Sequence, residues 1–300
     1  MSQCKPQQIR NQREETILRP LVSYYGGKQR LVPKLIPLIP PHSVYVEPFA
    51  GGAALLFAKG RPAITNKDHY REVLNDKDNR IVTLYRVARE RPGELIRLLQ
   101  MTPYSRDDYR RACAIIDGHL MADELMVAWA VWVALQFSFA NKLGGGFGYS
   151  LLSSNMAATH AVKQIELPEQ CSRLAEVFIE SLDALEILKK YDSPQTFFYC
   201  DPPYPGTEQG HYKGYTVEHF NALVDALENC QGSYMLSCYD AEGLRAPRDA
   251  ERIEIQTTSS AARQSNNKAR IEVVYRREAK GLPRTGLKLF TGADMVRHNK

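Results

Sequence analysis

The segment SVYVEPFAGGAALLFAK (43–59) constrains the fold more than any other stretch of this 300-residue chain. Val44, Tyr45 and Val46 favour extended backbone, Pro48 stops the strand, Gly51 and Gly52 permit a tight turn, and Ala53 to Ala58 suit a helix. Strand, glycine turn and helix in that order open an α/β unit. EVLNDKD (72–78) reads as the end of a second strand, EVFIES (176–181) as a third, and TFFYC (196–200) as a fourth that runs directly into DPPY (201–204). SYMLSCY (233–239) and RIEVVYR (270–276) supply two more. Strands alternating with helices predict a mostly parallel sheet, and ligands in such sheets bind at the carboxyl ends of the strands.

Between about 80 and 165 the pattern becomes helix-rich. Its apolar run LMVAWAVWVALQFSFA (125–140) is shorter than the roughly 20 residues of a membrane span and contains Gln136 and Ser138, so it reads as a buried helix. It leads into FSFANKLGGGFGYSLL (137–152), a loop of glycines and aromatics. Six cysteines show no metal-ligand or disulfide spacing, which favours free thiols, a reducing cytoplasm and no metal. The N-terminus lacks the apolar core of a signal peptide, and residues 1–16 are polar enough to form a mobile arm.

Two segments carry chemistry. Gly51 and Gly52 would let a nucleotide-like ligand approach the backbone, with Asp76 or Asp78 at the next strand end holding ribose hydroxyls. The G-x-G-x-x-G spacing of a dinucleotide site is absent, and either aspartate serves equally well as a helix cap. In DPPY, Pro202 and Pro203 fix the chain so that the Asp201 carboxylate and the Pro202 carbonyl form a rigid pair of acceptors beside the Tyr204 ring. That arrangement suits a planar amino group, although a proline turn would read the same way.

These segments stand in the order found in one family. YYGGK (24–28), VEPFAGGAAL (46–55), NDKD (75–78), VFIES (177–181), YCDPPY (199–204) and SSAARQSNNKARIEVVY (259–275) together resemble the DNA adenine methylase family, the D12 class of N6-adenine-specific DNA methyltransferases. The resemblance covers about residues 20–80 and 165–278. Tyr24 stands where the family often has tryptophan and Asp78 where asparagine is common.

The resemblance implies a Rossmann-like, S-adenosylmethionine-dependent methyltransferase sheet with an inserted, mainly helical target-recognition subdomain. The implied division is a mobile arm (1–19), a catalytic domain (20–80 and 165–280), the insertion (81–164) and a basic tail (281–300). S-adenosylmethionine would lie against Glu47, Phe49 and Gly51, with Tyr24 and Lys28 at its methionine end, Asp76 at its ribose and Asp183 at its adenine. Asp201, Pro202, Pro203 and Tyr204 would receive an adenine flipped out of double-stranded DNA. The implied protein is a monomer acting in the cytoplasm of a bacterium, as a host or phage enzyme.

The aromatic-glycine loop is the candidate for DNA contact. Phe137, Phe139, Phe147 and Tyr149 would stack on or wedge between bases, with Asn141 and Lys142 at base edges or phosphate. Alternatively its aromatics complete a small core. Arg263, Lys268 and Arg270 would clamp phosphate. Charge agrees with this layout: residues 1–43 hold 7 basic and 2 acidic side chains and residues 245–300 hold 13 and 6, so basic flanks surround an acidic middle. Three rival functions share parts of the pattern. They are a methyltransferase acting on cytosine N4, one acting on RNA or on a protein amide, and a DNA-binding module with a degenerate site.

Overall fold

The computed structural model describes residues 17–24, 26–62, 69–149, 155–205, 214–239, 243–257, 270–281 and 290–296. Its centre is a seven-stranded sheet: β1 (Val44–Glu47), β2 (Arg71–Asn75), β3 (Val177–Glu180), β4 (Thr196–Cys200), β5 (Ser233–Cys238), β6 (Glu251–Thr257) and β7 (Arg270–Arg277), in the order β3-β2-β1-β4-β5-β7-β6. The first five pair in parallel, and β7 runs antiparallel to both β5 and β6. This is the mixed α/β, Rossmann-like sheet that the resemblance implies. The strand order reverses between β1 and β4, and the crevice of an open parallel sheet lies at such a reversal.

Strand β6 escapes the apolar-run reading because it alternates, with Ile253 and Ile255 between polar residues, as suits an edge strand with one wet face. The central strands are the opposite case. All of β4 and β5 is buried, and neighbouring residues serve opposite faces: Tyr45, Phe197 and Met235 join one core, Val46, Phe198 and Leu236 the other.

The second of these cores is closed by α7 (Ala184–Tyr191) and α8 (Val217–Asn229), through Ile187, Phe220, Leu223 and Leu227. The first continues without a break into the helix-rich segment, which comprises α2 (Asn79–Glu90), α3 (Pro92–Gln100), α4 (Arg106–Ile116), α5 (Glu124–Phe137) and α6 (Met156–Arg173). Helix α5 is the apolar run read above as a buried helix, and every residue from Ala128 to Phe137 is buried. Its indoles are satisfied inside: Trp129 donates to Thr102 Oγ1 at 2.8 Å and Trp132 to the Leu21 carbonyl at 3.0 Å.

A buried ionic cluster joins these layers. Glu72 on β2 receives Lys59, the last residue of α1 (Ala54–Lys59), and Arg173, the last residue of α6. Arg173 also donates to the Leu56 and Gly60 carbonyls at 2.9 and 3.1 Å, tying off the end of α1. Burial pushes the Glu72 carboxyl up, but the two cations outweigh it and hold the group at about 2. Glu72→Gln would leave two buried cations around a neutral amide. It is expected to cost about 3–5 kcal/mol in urea unfolding, and a loss below about 1 kcal/mol would mean the cluster is not the joint described.

Candidate active site

The chain enters the site through a tight turn. Gly27 N–H donates to the Tyr24 carbonyl at 2.9 Å, and a Cβ on Gly27 would stand 2.9 Å from that same oxygen. The Tyr24 ring then lies over the glycine loop that follows β1. A Cβ on Gly52 would meet the Val22 carbonyl at 3.0 Å and Tyr24 Cβ at 3.1 Å, while Gly51 has φ +46° and Tyr24 Cδ1 3.3 Å from its would-be Cβ. Close approach of two chain segments therefore explains both glycines without any ligand.

Between this loop and the ends of β1, β2 and β4 is a crevice of about 540 Å³. Tyr24, Lys28, Glu47, Phe49, Gly51, Asp76, Asp183, Asp201, Pro202, Pro203 and Tyr204 all line it, so the residues expected around cofactor and target base share one cavity. Their tasks within the fold differ from one another.

Asp76 accepts Gly51 N–H at 2.8 Å on one oxygen and Asp78 N–H at 2.9 Å on the other, and burial raises its carboxyl to about 6. It braces the glycine loop from below. Tyr85 adds a hydroxyl bond to the Gly51 carbonyl at 2.7 Å. Asp78 and Asp183 are helix caps: Asp78 accepts Arg80 N–H at the start of α2, and Asp183 accepts Leu185 N–H at the start of α7. Asp183 also pairs with Lys77 at 3.1 Å.

Two further residues have partners other than those expected. Glu47 is fully enclosed and accepts the Tyr45 hydroxyl at 2.6 Å and Leu56 N–H at 2.9 Å, so it anchors α1 to β1. Lys28 does not present a free ammonium to a cofactor carboxylate. Its Nζ lies 2.8 Å from Asp201 Oδ1 and 3.2 Å from Glu272 Oε1, and 4.8 Å from the centre of the Tyr204 ring. Burial disfavours the Lys28 charge, yet Asp201 and Glu272 outweigh it and raise its pKa, so the ammonium is retained.

Asp201 follows the last residue of β4, with its side chain 22% exposed into the crevice. Tyr204 O–H lies 2.8 Å from Asp201 Oδ1 and 2.7 Å from Glu272 Oε1, and its ring packs edge-on against Tyr239 at 4.6 Å. Cys200 is a fully buried strand residue. Glu272 and Tyr239 were not singled out above. Glu272 had one legible signal, an acidic residue inside the apolar strand RIEVVY.

The aromatic-glycine loop lies outside the crevice lining and divides in two. Phe137 is buried, and Phe147 packs against Tyr104 (5.1 Å) and Tyr109 (5.6 Å) beneath the Arg106 guanidinium, so neither ring is offered outward. Phe147, expected at a base, is half-buried against the core. Phe139 and Tyr149 are 75% and 64% exposed. Asn141 (φ +53°) and Lys142 stand half-buried at the turn between them. Arg263, Lys268, the Arg270 side chain, residues 1–16 and most of the basic tail lie outside the described residues.

Burial raises the Glu47 carboxyl from 4.5 to about 7, against its two hydrogen bonds. The folded protein thus holds this proton more tightly than the unfolded chain, and the resulting stability is present below pH 4.5 and lost as pH rises through 7. Relative to wild type, Glu47→Gln is expected to gain about 3 kcal/mol between pH 4.5 and 7.5 in urea unfolding. A difference that does not change with pH would show that Glu47 is already ionised at pH 5.

Residues 24–113, which carry the tyrosine turn, the glycine loop and Asp76, match the family model described as D12 class N6 adenine-specific DNA methyltransferase. The Type II methyltransferase M1.LlaDCHI of Lactococcus lactis subsp. cremoris is 27% identical over 228 residues, covering 70% of this chain and 74% of that protein. The matched segment forms one wall of the crevice and DPPY the other, so the similarity to D12 class N6 adenine-specific DNA methyltransferases falls on the wall that carries the glycine loop and Asp76.

Proposed function

We propose that the protein transfers a methyl group from S-adenosylmethionine to N6 of an adenine flipped out of double-stranded DNA. The observation that carries this reading is the Asp201 carboxylate at the crevice-facing end of β4, held through Oδ1 by Lys28 and Tyr204 and partly exposed into the crevice, with no partner on Oδ2 among the described residues. The cavity suits the cofactor's chemistry. Phe49 offers an apolar surface, the Gly51 backbone permits close approach, and the acidic side chains of Asp76, Asp78 and Asp183 line the same wall. Asp76 would serve the ribose and Asp183 the adenine, each using acceptor capacity beyond its present bonds. Tyr24 would floor the methionine end. Since Lys28 is committed to Asp201, its part in holding the methionine carboxylate is not carried forward.

S-adenosylmethionine bound there supplies an electrophilic methyl on a cationic sulfur. Everything else falls to this chain. The lone pair of an adenine amino group is delocalised into the ring, which makes N6 a poor nucleophile. Hydrogen bonds from both amino hydrogens to Asp201 and the Pro202 carbonyl would favour a pyramidal nitrogen with its lone pair directed at the methyl. As N6 gains carbon it sheds a proton, for which the Asp201 carboxylate is the adjacent acceptor. The chemistry is alignment and electrostatics. A stacked adenine cannot reach this site, and extruding it costs a few kcal/mol. The Tyr204 ring, steadied by Tyr239, would offset part of that cost by stacking, worth roughly 1–3 kcal/mol per base.

For DNA itself, Phe139 and Tyr149 are the aromatic side chains of the loop that remain outward, with Asn141 and Lys142 beside them. The helix-rich segment 81–164 would act as the target-recognition part.

The reading is tested by incubating the protein with tritiated S-adenosylmethionine and unmethylated DNA. Label is expected in N6-methyladenine, and label recovered as N4-methylcytosine, or only with RNA, would replace the reading. Asp201→Ala is expected to abolish transfer while DNA binding survives, and more than a few per cent of residual activity would show that the acceptor has been misassigned. Phe139→Ala should weaken DNA binding by about 1–3 kcal/mol with little effect on unfolding. Phe147→Ala should instead destabilise the fold by roughly 3 kcal/mol or more. The reverse pattern would exchange the roles of these two rings.

A further inference from the structure

Glu272 has no task in the reaction just described, yet it is 2% exposed and touches two groups of the site. Its Oε1 lies 3.2 Å from Lys28 Nζ and 2.7 Å from the Tyr204 hydroxyl. Asp201 Oδ1 lies 2.8 Å from each of the same two groups. Two carboxylates therefore share one ammonium and one phenol proton. An ammonium paired with Asp201 alone would offset its charge and weaken it as an acceptor. Shared between two carboxylates, the same ammonium leaves an excess negative charge on the group. Glu272 is the deeper partner, while Asp201 opens on the crevice, so that charge is available where a substrate amino group would sit.

Resting on the reading of Asp201 as acceptor of the adenine amino hydrogens, we propose that Glu272 is a positioning residue: by sharing the Lys28 ammonium and the Tyr204 hydroxyl it fixes both groups behind Asp201 and leaves that carboxylate a stronger acceptor for the substrate than an undivided pairing with Lys28 would. Lys28, the last residue of the turn after Tyr24, is thereby a joint between two strands, β4 and β7. The other titratable groups facing the cluster are Glu47 at the end of β1, Tyr199 on β4 and Tyr239 after β5. They remain constant in the comparison below.

The test compares kcat and KM for DNA methylation by the full-length protein and its variants at pH 8. Wild type must first form N6-methyladenine; if it does not, the underlying reading fails and the proposal falls with it. If it does, Glu272→Gln is expected to lower kcat at pH 8 by about tenfold, the rate equivalent of about 1.4 kcal/mol of lost acceptor strength. KM for DNA and for S-adenosylmethionine should stay within about twofold. Glu272→Asp keeps the charge and is expected to restore most of the rate. Lys28→Met removes the cation that the two carboxylates share and is expected to lower kcat by at least as much, a result that decides the matter even where Glu272→Gln does not fold. An unchanged kcat in either charge-removing variant, a loss carried by KM instead of kcat, or Glu272→Asp behaving as Glu272→Gln, would overturn the proposal while leaving the methyltransferase reading intact.

Discussion

The contact on which the site depends is the buried meeting of Lys28 with Asp201. A lysine ammonium stripped of water is costly unless it is paired and hydrogen-bonded. Here it is paired twice, with Asp201 and Glu272, and lies beside the Tyr204 ring. That requirement draws together three parts of the chain far apart in sequence: the turn after Tyr24, the end of β4 and the antiparallel strand β7. The DPPY segment is thus held from behind by the protein's own charges, and the face of Asp201 left over is the one turned to the crevice.

The opposite wall follows a second constraint, the close approach of the Tyr24 segment to the glycine loop. Gly51 and Gly52 allow it, Asp76 fixes the Gly51 amide and Tyr85 the Gly51 carbonyl. The Gly51 amide and carbonyl are thus both held by the protein itself, a form of preorganisation that lowers the cost of binding. Further from the crevice, Glu72 joins sheet and helical segment through Lys59 and Arg173. One hydrophobic core runs through both, so the helical segment is seated against the sheet and does not hang from it as a separate unit.

Much of this was legible in the residues. A continuously apolar run such as TFFYC can only be a strand buried on both faces, and it ends on DPPY, which fixes where the acceptors lie. The strand, glycine turn and helix of 43–59 placed the first wall in the same way. Charge partners were less legible, because an ion pair between residues 28, 201 and 272 leaves no periodic trace. Lys28 was therefore expected at a ligand carboxylate, and Glu272 passed as one more polar residue. Strand β6 hid in its alternation, which suits an exposed edge as well as a loop. In the aromatic-glycine loop, composition could not separate Phe147 from Phe139. The distinction is made by Tyr104 and Tyr109, supplied by another helix and the chain before it.

In the proposed reaction the Asp201 carboxylate presents adenine N6 for methylation in DNA. The most direct measurement is modified-base sequencing of plasmid DNA from methylation-deficient cells producing either the wild-type protein or Asp201→Ala. N6-methyladenine is expected at one recurrent sequence with the wild type and none with the variant. Methylated cytosine instead of adenine, or adenine methylation that persists with Asp201→Ala, would contradict it.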